Sequence, residues 1–439
     1  MAQQTNPALN SLIIYELSVM NLTEKHNFDG VIDELDRIRD LGVDVVWLMP
    51  IHPRGEKMKF GECGSPYSVR DFRAINPAYG DFDSFGRLVK EVHARGMKAM
   101  LDIVYNHTSQ DSVLVESHPD YFYQDADGKP MYRFWNDVYD LDYSNEALCD
   151  YMVETALMWA KLGVDGYRCD VAPMVPLNFW SRARAEMDKI NPDFIWLAET
   201  HHYPFLTRMR DRGWNLHSDA EMYQSFDITY DYDVHYFYED YLKGKGTLKE
   251  YVDGLNRQKA MYPMNYIKMR FLENHDQVRV CSLVHTDEQL RMWTAFSYFL
   301  KGPALIYAGQ EFKVAKRTDM TSRVVFERQE APWLAELLRA LRPIKKMPIE
   351  TSGAFFLDEP KQDSILTGHY EMGDEQLYGV FNFHLVTEAD LPLPDGEYEN
   401  LLGGSVTVKN GRIPAPMTPV LVHVTNHNLE QKSFKEHEG

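Results

Sequence analysis

Cysteine is scarce in this chain of 439 residues. Its four cysteines lie far apart, without the close pairs of a zinc site or the dense pattern of a disulfide-stapled secreted domain: Cys63, Cys149, Cys169 and Cys281. Reduced thiols and a cytoplasmic location are therefore the simplest expectation. A chain that had lost a leader peptide would have the same cysteine pattern.

Long apolar runs and an excess of basic residues are also missing. No apolar run approaches the roughly 20 residues that span a bilayer, and residues 1–7 lack the basic start and apolar stretch of a signal peptide. The 46 basic residues are outnumbered by 66 acidic ones, which gives a net charge of −20. This balance disfavours a nucleic acid or an anionic membrane as a partner. We expect neither, and the sequence leaves the oligomeric state open.

Apolar strand-like runs alternate with amphipathic helices along the first three quarters of the chain. The predicted strands are residues 12–19, 43–51, 98–107, 164–172, 194–200, 225–228, 266–272 and 304–308, and the predicted helices between them include residues 28–41, 83–95, 146–162, 177–190, 234–242, 248–261 and 288–300. Strands that are apolar nearly throughout pair in parallel, with both faces of the sheet covered. About eight such repeats predict an α/β fold, the (β/α)₈ TIM barrel, whose chemistry lies at the C-terminal strand ends.

Two segments depart from this alternation. Residues 108–145, after the third strand, are rich in Asp, Gly, Pro and aromatic residues, and a structureless loop of that length is uncommon. We expect a short inserted subdomain there, within a catalytic barrel that spans residues 1–345. Residues 346–426 contain short strand-like runs separated by Gly, Pro and Asp, which predicts a C-terminal all-β sandwich domain. A tail at 427–439 completes the predicted domain organisation.

Charged side chains stand at the ends of four predicted strands. They are Asp102 and His107 at the third strand, Arg168 and Asp170 at the fourth, Glu199 at the fifth, and His275 and Asp276 beyond the seventh. Arg168 and Asp170 share a face, because side chains two apart on a strand point the same way. Taken singly, each group has a structural explanation: a salt bridge for Arg168 with Asp170, a helix N-terminal acid for Glu199, or a loop cap. Their joint placement at one barrel mouth indicates a functional site instead.

Such a cluster suits glycosyl transfer, which needs one ionised carboxylate below the sugar and one protonated carboxyl beside the leaving oxygen. We expect Arg168 to lower the pKa of Asp170 and hold it ionised as the nucleophile. Glu199, crowded by Asp170 and Asp276, should have a raised pKa and act as proton donor and then as base. Asp276 is left to stabilise the developing positive charge.

Four ordered motifs carry a resemblance to a known family. Residues 102–107 read DIVYNH, residues 166–172 GYRCDVA, residues 197–200 LAET and residues 271–276 FLENHD. With them the chain resembles the α-amylase family of retaining glycoside hydrolases (family 13 type). The resemblance implies a hydrolase of α-glucans such as maltodextrin or starch fragments, which works by a double displacement with a covalent glycosyl-enzyme intermediate.

The resemblance also implies roles for individual residues. Asp170 would be the nucleophile, Glu199 the acid and base, and Asp276 the transition-state stabiliser. The substrate-binding residues would be Arg168, His107, His275, Asp102 and Tyr67, with Tyr67 stacking on the sugar ring. No cofactor is implied for the chemistry. A structural Ca²⁺ is left open at Asn106 and Asp140, which match positions that calcium-binding members use.

Other functions remain open at this point. The same scaffold serves α-glucan transglycosylases and exo-acting α-glucosidases. Residues 172–174, Ala-Pro-Met, stand where many α-amylases of the family carry Lys-His, which argues against strict endo-acting behaviour. More remote alternatives are a metal-dependent barrel hydrolase and a non-catalytic binding subunit. Aromatic residues of the inserted segment could stack on glucose rings or pack among themselves: Tyr121, Phe122, Tyr123, Tyr132, Phe134 and Trp135.

Overall fold

Eight parallel strands form a barrel in the computed structural model, which describes residues 5–384, 388–414 and 416–425. Barrel strands 1 to 8 are, in chain order, Ile13–Leu17, Val45–Leu48, Lys98–Ile103, Gly166–Cys169, Ile195–Ala198, Ile228–Tyr230, Lys268–Met269 and Ala304–Tyr307. Each pairs in parallel with the next, strand 8 pairs with strand 1, and a bridge from Arg270 to Ala304 joins strands 7 and 8. The predicted TIM barrel is confirmed, with the weak strand expected at 225–228 found a few residues later.

Helices cover the outside of the barrel. The helices are Val19–Leu22, Phe28–Asp40, Phe82–Ala94, Val113–Ser117, Glu146–Lys161, Leu177–Asp188, Tyr203–Arg210, Asp219–Met222, Tyr232–Leu242, Leu248–Met261, Asp287–Phe299, Pro332–Lys345 and Pro348–Ser352. Their ends follow local sequence signals. The Asn27 side chain caps the second helix by accepting from the Gly30 N–H. Gly42 follows the C-terminus of that helix with φ at 93°, a backbone conformation that a residue with a side chain rarely adopts.

Two apolar layers hold the barrel. The interior is filled by side chains from alternate strand positions, including Trp47, Met100, Leu197, Tyr230 and Leu305. The opposite strand faces pack against the helices in a larger layer that continues onto the C-terminal strands. Each of the four residues in strands 2, 4, 5 and 8 is buried, which explains why these strands read as continuous apolar runs.

The segment predicted as an insertion leaves the barrel through a small hairpin. His107–Ser109 pairs antiparallel with Val138–Asp140, and the turn Pro119–Tyr121 lies between them. Of its aromatic residues, Tyr121 and Phe122 are buried in the main core, whereas Tyr132 is 49% exposed. Some of these aromatic residues therefore pack internally, and stacking on glucose rings stays a prediction for the others.

The C-terminal strands form three small antiparallel sheets. The four-stranded sheet contains Ala354–Leu357, Ile365–Met372, Glu375–Asn382 and Val420–Thr425; Glu388–Asp390 pairs with Arg412–Pro414, and Gly396–Glu399 with Ser405–Val408. The strand expected at 398–401 begins earlier, and the strands at 388–390, 405–408 and 412–414 were not predicted. We propose residues 346–426 as a domain of its own, although residue 426 and the expected tail at 427–439 lie outside the described residues.

Aromatic contacts join this β region to the barrel. Trp293 of the helix Asp287–Phe299 stacks on Phe383 with ring centroids 3.9 Å apart, and Phe299 meets Tyr370 edge-to-face at 5.3 Å. The helix Asp287–Phe299, which leads into strand 8, thus packs against the β region. Within the described residues, every helix is too short or too polar to cross a bilayer.

Candidate active site

The charged residues singled out by the sequence meet at the C-terminal mouth of the barrel. Asp102 and Arg168 are register partners on strands 3 and 4, and Asp170 lies one residue beyond strand 4. Glu199 follows strand 5 directly, and its main-chain N–H donates to the Cys169 carbonyl at 3.1 Å. Strand pairing therefore fixes the backbone that carries these side chains.

Arg168 lies at the centre of the cluster and is fully buried. Its Nη1 donates to Asp102 Oδ1 at 3.0 Å and to Asp170 Oδ1 at 2.9 Å, while Nη2 lies 2.9 Å from Glu199 Oε2. Its Nε donates to the Tyr230 hydroxyl at 3.0 Å. One guanidinium thus faces three carboxyl groups, and a buried cation of this kind is retained only with such partners.

Burial controls the pKa values of the three carboxyl groups around Arg168. It raises the pKa of Asp102 and of Asp170 to about 6 and that of Glu199 to about 7, against the lowering effect of Arg168. The raised pKa of Glu199 agrees with the expectation from sequence. The expected lowering for Asp170 was wrong in net direction, because loss of hydration outweighs the neighbouring guanidinium at this buried position.

His275, Asp276 and Glu16 form a second charged group at the barrel mouth. His275 is buried, and its Nε2 lies 3.1 Å from Asp276 Oδ2, while its Nδ1 contacts Glu16 Oε1. Against the opposing effect of burial, these two carboxylates raise the pKa of His275 well above its usual value. Asp276 is 41% exposed at its side chain; despite partial desolvation, His275 lowers its pKa. Arg317 Nη2 approaches Asp276 Oδ1 at 3.5 Å.

Tyr67 and His107 complete the set of predicted substrate-binding residues. The Tyr67 hydroxyl donates to Asp102 Oδ2 at 3.1 Å and lies 2.8 Å from His275 Nε2, and its ring is stacked on His275. His107 Nε2 lies 4.0 Å from Asp170 Oδ2. Burial lowers the pKa of His107, so its ring is neutral at neutral pH. The eight predicted catalytic and substrate-binding residues therefore form one group.

This group borders a cavity of about 340 Å³, a size typical of small-ligand sites. Besides Tyr67, His107, Asp170, Glu199 and Asp276, its lining includes Trp135, Val171, His201 and Phe205. Trp135 comes from the inserted segment and packs against His107 with ring centroids 5.2 Å apart. The lining of the cavity thus combines carboxyl groups with aromatic rings.

Several of these residues escaped the sequence reasoning. Glu16 offered a signal, a single acid within an apolar buried strand, but its partner lies 259 positions away. His201, Phe205 and Arg317 lie on loops and a helix whose approach to the site depends on the tertiary fold. Trp135 was one of several candidate aromatic residues, and composition alone could not select it.

The two predicted metal ligands are close together, and Asp140 already has a cationic partner. Asn106 precedes His107, which is the register partner of Asp140. Asp140 Oδ2 accepts the main-chain N–H of Arg133 at 2.8 Å, and its Oδ1 accepts from the Arg133 guanidinium at 3.3 Å. The Asn106 amide nitrogen lies 3.1 Å from His107 Nδ1. A cation thus already lies against Asp140, and the described residues contain no group of three or more His, Cys, Asp or Glu arranged around one metal position.

Family models and known proteins match this chain over most of its length. The model of the alpha-amylase catalytic domain matches residues 21–129 and 122–331, and the model of the bacterial alpha-amylase C-terminal domain matches residues 356–422. The crystal structure of an alpha-amylase from Lactobacillus plantarum is 40% identical, with a TM-score of 0.92 over 96% of this chain and 100% of that one.

Two curated relatives are more distant in sequence. Alpha-amylase 2 of Dictyoglomus thermophilum is 24% identical over 93% of this chain and 72% of its own length. The intracellular maltogenic amylase of Bacillus subtilis is 27% identical over 69% of this chain. The chain spans about half the length of that second relative, at 52%.

Proposed function

The chain belongs to the alpha-amylase family of retaining glycoside hydrolases, and we propose on this basis that Asp170 is its nucleophile, Glu199 its acid and base, and Asp276 its transition-state stabiliser. It is a hydrolase of α-glucans. No cofactor takes part in the chemistry of the family, so the reaction is carried by side chains. The substrate we propose is an α-linked glucose oligosaccharide or polysaccharide.

The protonation states of the two central carboxyl groups support these roles. With pKa values of about 6 for Asp170 and about 7 for Glu199, an ionised Asp170 coexists with a protonated Glu199 between the two values. This is the pairing that the first step of a retaining mechanism requires.

The reaction then proceeds in two displacements. In the first, a carboxylate oxygen of Asp170 bonds to the anomeric carbon, the glycosidic bond breaks, and Glu199 gives its proton to the departing oxygen. In the second, Glu199 takes a proton from water, whose oxygen bonds to the anomeric carbon as the bond to Asp170 breaks. A sugar hydroxyl in place of that water gives transglycosylation with the same residues.

The remaining charges suit an oxocarbenium-like transition state. Asp276 has a lowered pKa because His275 lies beside it, so it is ionised throughout the working range. It supplies a fixed negative charge where positive charge develops on the sugar. We assign binding of the sugar hydroxyls to His107, His275 and Arg168, and stacking on the ring to Tyr67 and to Trp135.

The observation that carries the proposal is the shared contact of Arg168, which touches Asp170 and Glu199 at 2.9 Å each. One guanidinium thus contacts both the proposed nucleophile and the proposed acid and base, and the retaining mechanism is general to the family. NMR of maltoheptaose hydrolysis tests it: the first product should be the α-anomer, and an initial β-anomer would contradict the assignment. Parallel digests of pullulan and trehalose identify the linkage.

Variants test the individual roles in the same assay. Asp170→Asn and Glu199→Gln should each abolish release of reducing sugar from maltodextrins, while Asp150→Asn, in an exposed pair with Arg182, should not. Near-normal turnover in either active-site variant would refute its assigned role. Glucose-containing products longer than the substrate would identify transfer alongside hydrolysis.

We further propose that the Arg133 guanidinium, rather than Ca²⁺, neutralises Asp140. The guanidinium packs on the Tyr123 ring at 3.8 Å and near the Trp214 ring at 4.6 Å, so it is fixed beside the fully buried carboxylate. A divalent cation would have to displace it or bear its repulsion. The same inserted segment carries Trp135, two residues on, into the active site.

The free state of the cysteines and the name of one relative support a cytoplasmic location. All four cysteines are free thiols, as expected in a reducing compartment, and the Bacillus subtilis relative is named as intracellular. Fractionation of the source cells, with the protein found outside the cytoplasm, would contradict this location.

A further inference from the structure

Val171, the residue after the nucleophile, has an unusual backbone. Its φ is 37° and its ψ 41°, the left-handed region, which is strained for a β-branched side chain. The short helical turn Ala172–Met174 begins here: the Met174 N–H donates to the Val171 carbonyl at 2.9 Å, and the Trp180 indole donates to the Ala172 carbonyl at 3.0 Å. The surrounding structure therefore holds Val171 in this conformation.

The left-handed backbone turns the Val171 N–H toward the acid and base. That N–H donates to Glu199 Oε2 at 2.8 Å, and both groups are buried. Arg168 Nη2 lies 2.9 Å from the same oxygen, although it is not aligned for a hydrogen bond. Among the described residues no side chain or main-chain group bonds to Oε1, so the two oxygens of Glu199 are in unequal surroundings.

We propose that the Val171 main-chain N–H is a positioning group that keeps Oε2 of Glu199 unprotonated and so reserves Oε1 as the oxygen that carries the proton. A proton on Oε2 would face an N–H donor and a guanidinium, which repel it. A proton on Oε1 meets neither of these groups, and Glu199 lines the cavity. This inference rests on the assignment of Glu199 as acid and base and adds which of its oxygens acts.

The proton balance of the reaction follows from this choice. In the first displacement the Oε1–H bond breaks and its proton passes to the glycosidic oxygen, whose bond to the anomeric carbon breaks as Asp170 attacks. In the second, Oε1 takes a proton from the attacking water. Oε2 keeps the Val171 N–H throughout, so the carboxyl group need not rotate between the steps. The Val171 N–H also opposes the rise in the pKa of Glu199 that burial causes.

The test removes this N–H without changing a side chain. Suppression of a nonsense codon at position 171 with α-hydroxyvaline replaces the amide N–H by an ester oxygen, and the matched control inserts valine by the same route. We expect kcat/KM on maltoheptaose to fall at least tenfold. On α-maltosyl fluoride, whose leaving group departs without a proton, kcat/KM should stay within about twofold. The alkaline limb of the pH profile should move upward, since an N–H donor favours the carboxylate.

A second ester at Val175 separates this effect from damage to the turn. The Val175 N–H donates to the Ala172 carbonyl at 3.2 Å, within the same turn but away from Glu199, so its ester should leave the preference between the two substrates unchanged. Equal losses on both substrates in the Val171 ester, or no loss on either, would overturn the proposal. If Glu199→Gln cleaves maltoheptaose normally, the acid and base assignment itself fails, whatever the esters show.

Discussion

Glu16 and His275 are in contact across the barrel mouth, with Glu16 Oε1 against His275 Nδ1. Glu16 belongs to strand 1 and His275 follows strand 7, and both side chains are buried. With Asp276 on the other ring nitrogen, His275 is held as an imidazolium at neutral pH. That cation, in turn, keeps Asp276 ionised, so a residue outside the substrate cavity sets the charge of one inside it.

Substitution of Glu16 tests whether this residue sets the protonation of His275. Glu16→Gln preserves shape but removes a charge, so the pKa of His275 should fall and kcat should drop by up to about 100-fold, the lower end of what losing one preorganised electrostatic contact costs. NMR titration of the His275 ring and steady-state kinetics measure the two effects. Glu350→Gln, in another buried pair with Lys345, is the control. An unchanged pKa of His275 in the Glu16→Gln variant would refute this role of Glu16.

The activity should depend on pH as a bell-shaped curve. Asp170 loses its charge as the pH falls through about 6, and Glu199 loses its proton as the pH rises through about 7. The profile of kcat/KM on maltoheptaose should therefore peak between these values and fall on both sides. With α-maltosyl fluoride, whose leaving group needs no proton, the profile of kcat/KM should lack the alkaline limb. An alkaline limb of the same size on both substrates would show that it does not report proton donation by Glu199.

Trp135 should contribute binding rather than chemistry. It lines the cavity and packs on His107, so Trp135→Ala should raise KM for maltoheptaose about tenfold, as expected from a lost stacking contact of roughly 1.4 kcal/mol, with a smaller effect on kcat. Tyr132→Ala, an exposed aromatic residue of the same segment outside this cavity, is the matched control. A larger loss in kcat than in KM would assign Trp135 a role in orienting His107.

The stability of the enzyme should be independent of calcium. Excess EDTA or added Ca²⁺ should leave the Tm unchanged, because Arg133 already neutralises Asp140. Arg133→Met should lower the free energy of unfolding by about 1–3 kcal/mol, since it leaves a buried carboxylate without its partner, whereas Arg182→Met at an exposed pair should have almost no effect. A fall in the Tm of the unaltered enzyme on chelation would contradict the proposal.

The sequence was most informative where burial is complete. Barrel strands buried on both faces read as apolar runs, and the glycines at 42 and 96 marked helix ends by their positive φ. The strands at 388–390, 405–408 and 412–414 escaped prediction because they are short and half-exposed, so neither an apolar run nor a clean alternation identifies them.

The candidate site also contains residues that could be predicted from the sequence and residues that could not. Asp170, Glu199 and Asp276 could be grouped from the sequence because the C-terminal strand ends of a barrel converge. The order of strands and helices along the chain was enough to indicate such a barrel. Glu16 and Arg133 depend on partners that only packing supplies. The pKa of Asp170 depends on how much water remains around it, and the left-handed backbone of Val171 is set by the turn that follows, so neither could be predicted from residue types.

The aromatic contacts between the helix Asp287–Phe299 and the C-terminal sheets make the barrel depend on the region that follows it. A chain ending at residue 345 would expose Trp293 and Phe299 to water on the helix that leads into strand 8. Strand 8 closes the barrel against strand 1, where Glu16 lies. The small β region thus shields the helix Asp287–Phe299 from water. Its loss would disturb strand 8, the pairing of strand 8 with strand 1, and through strand 1 the charged group at the barrel mouth.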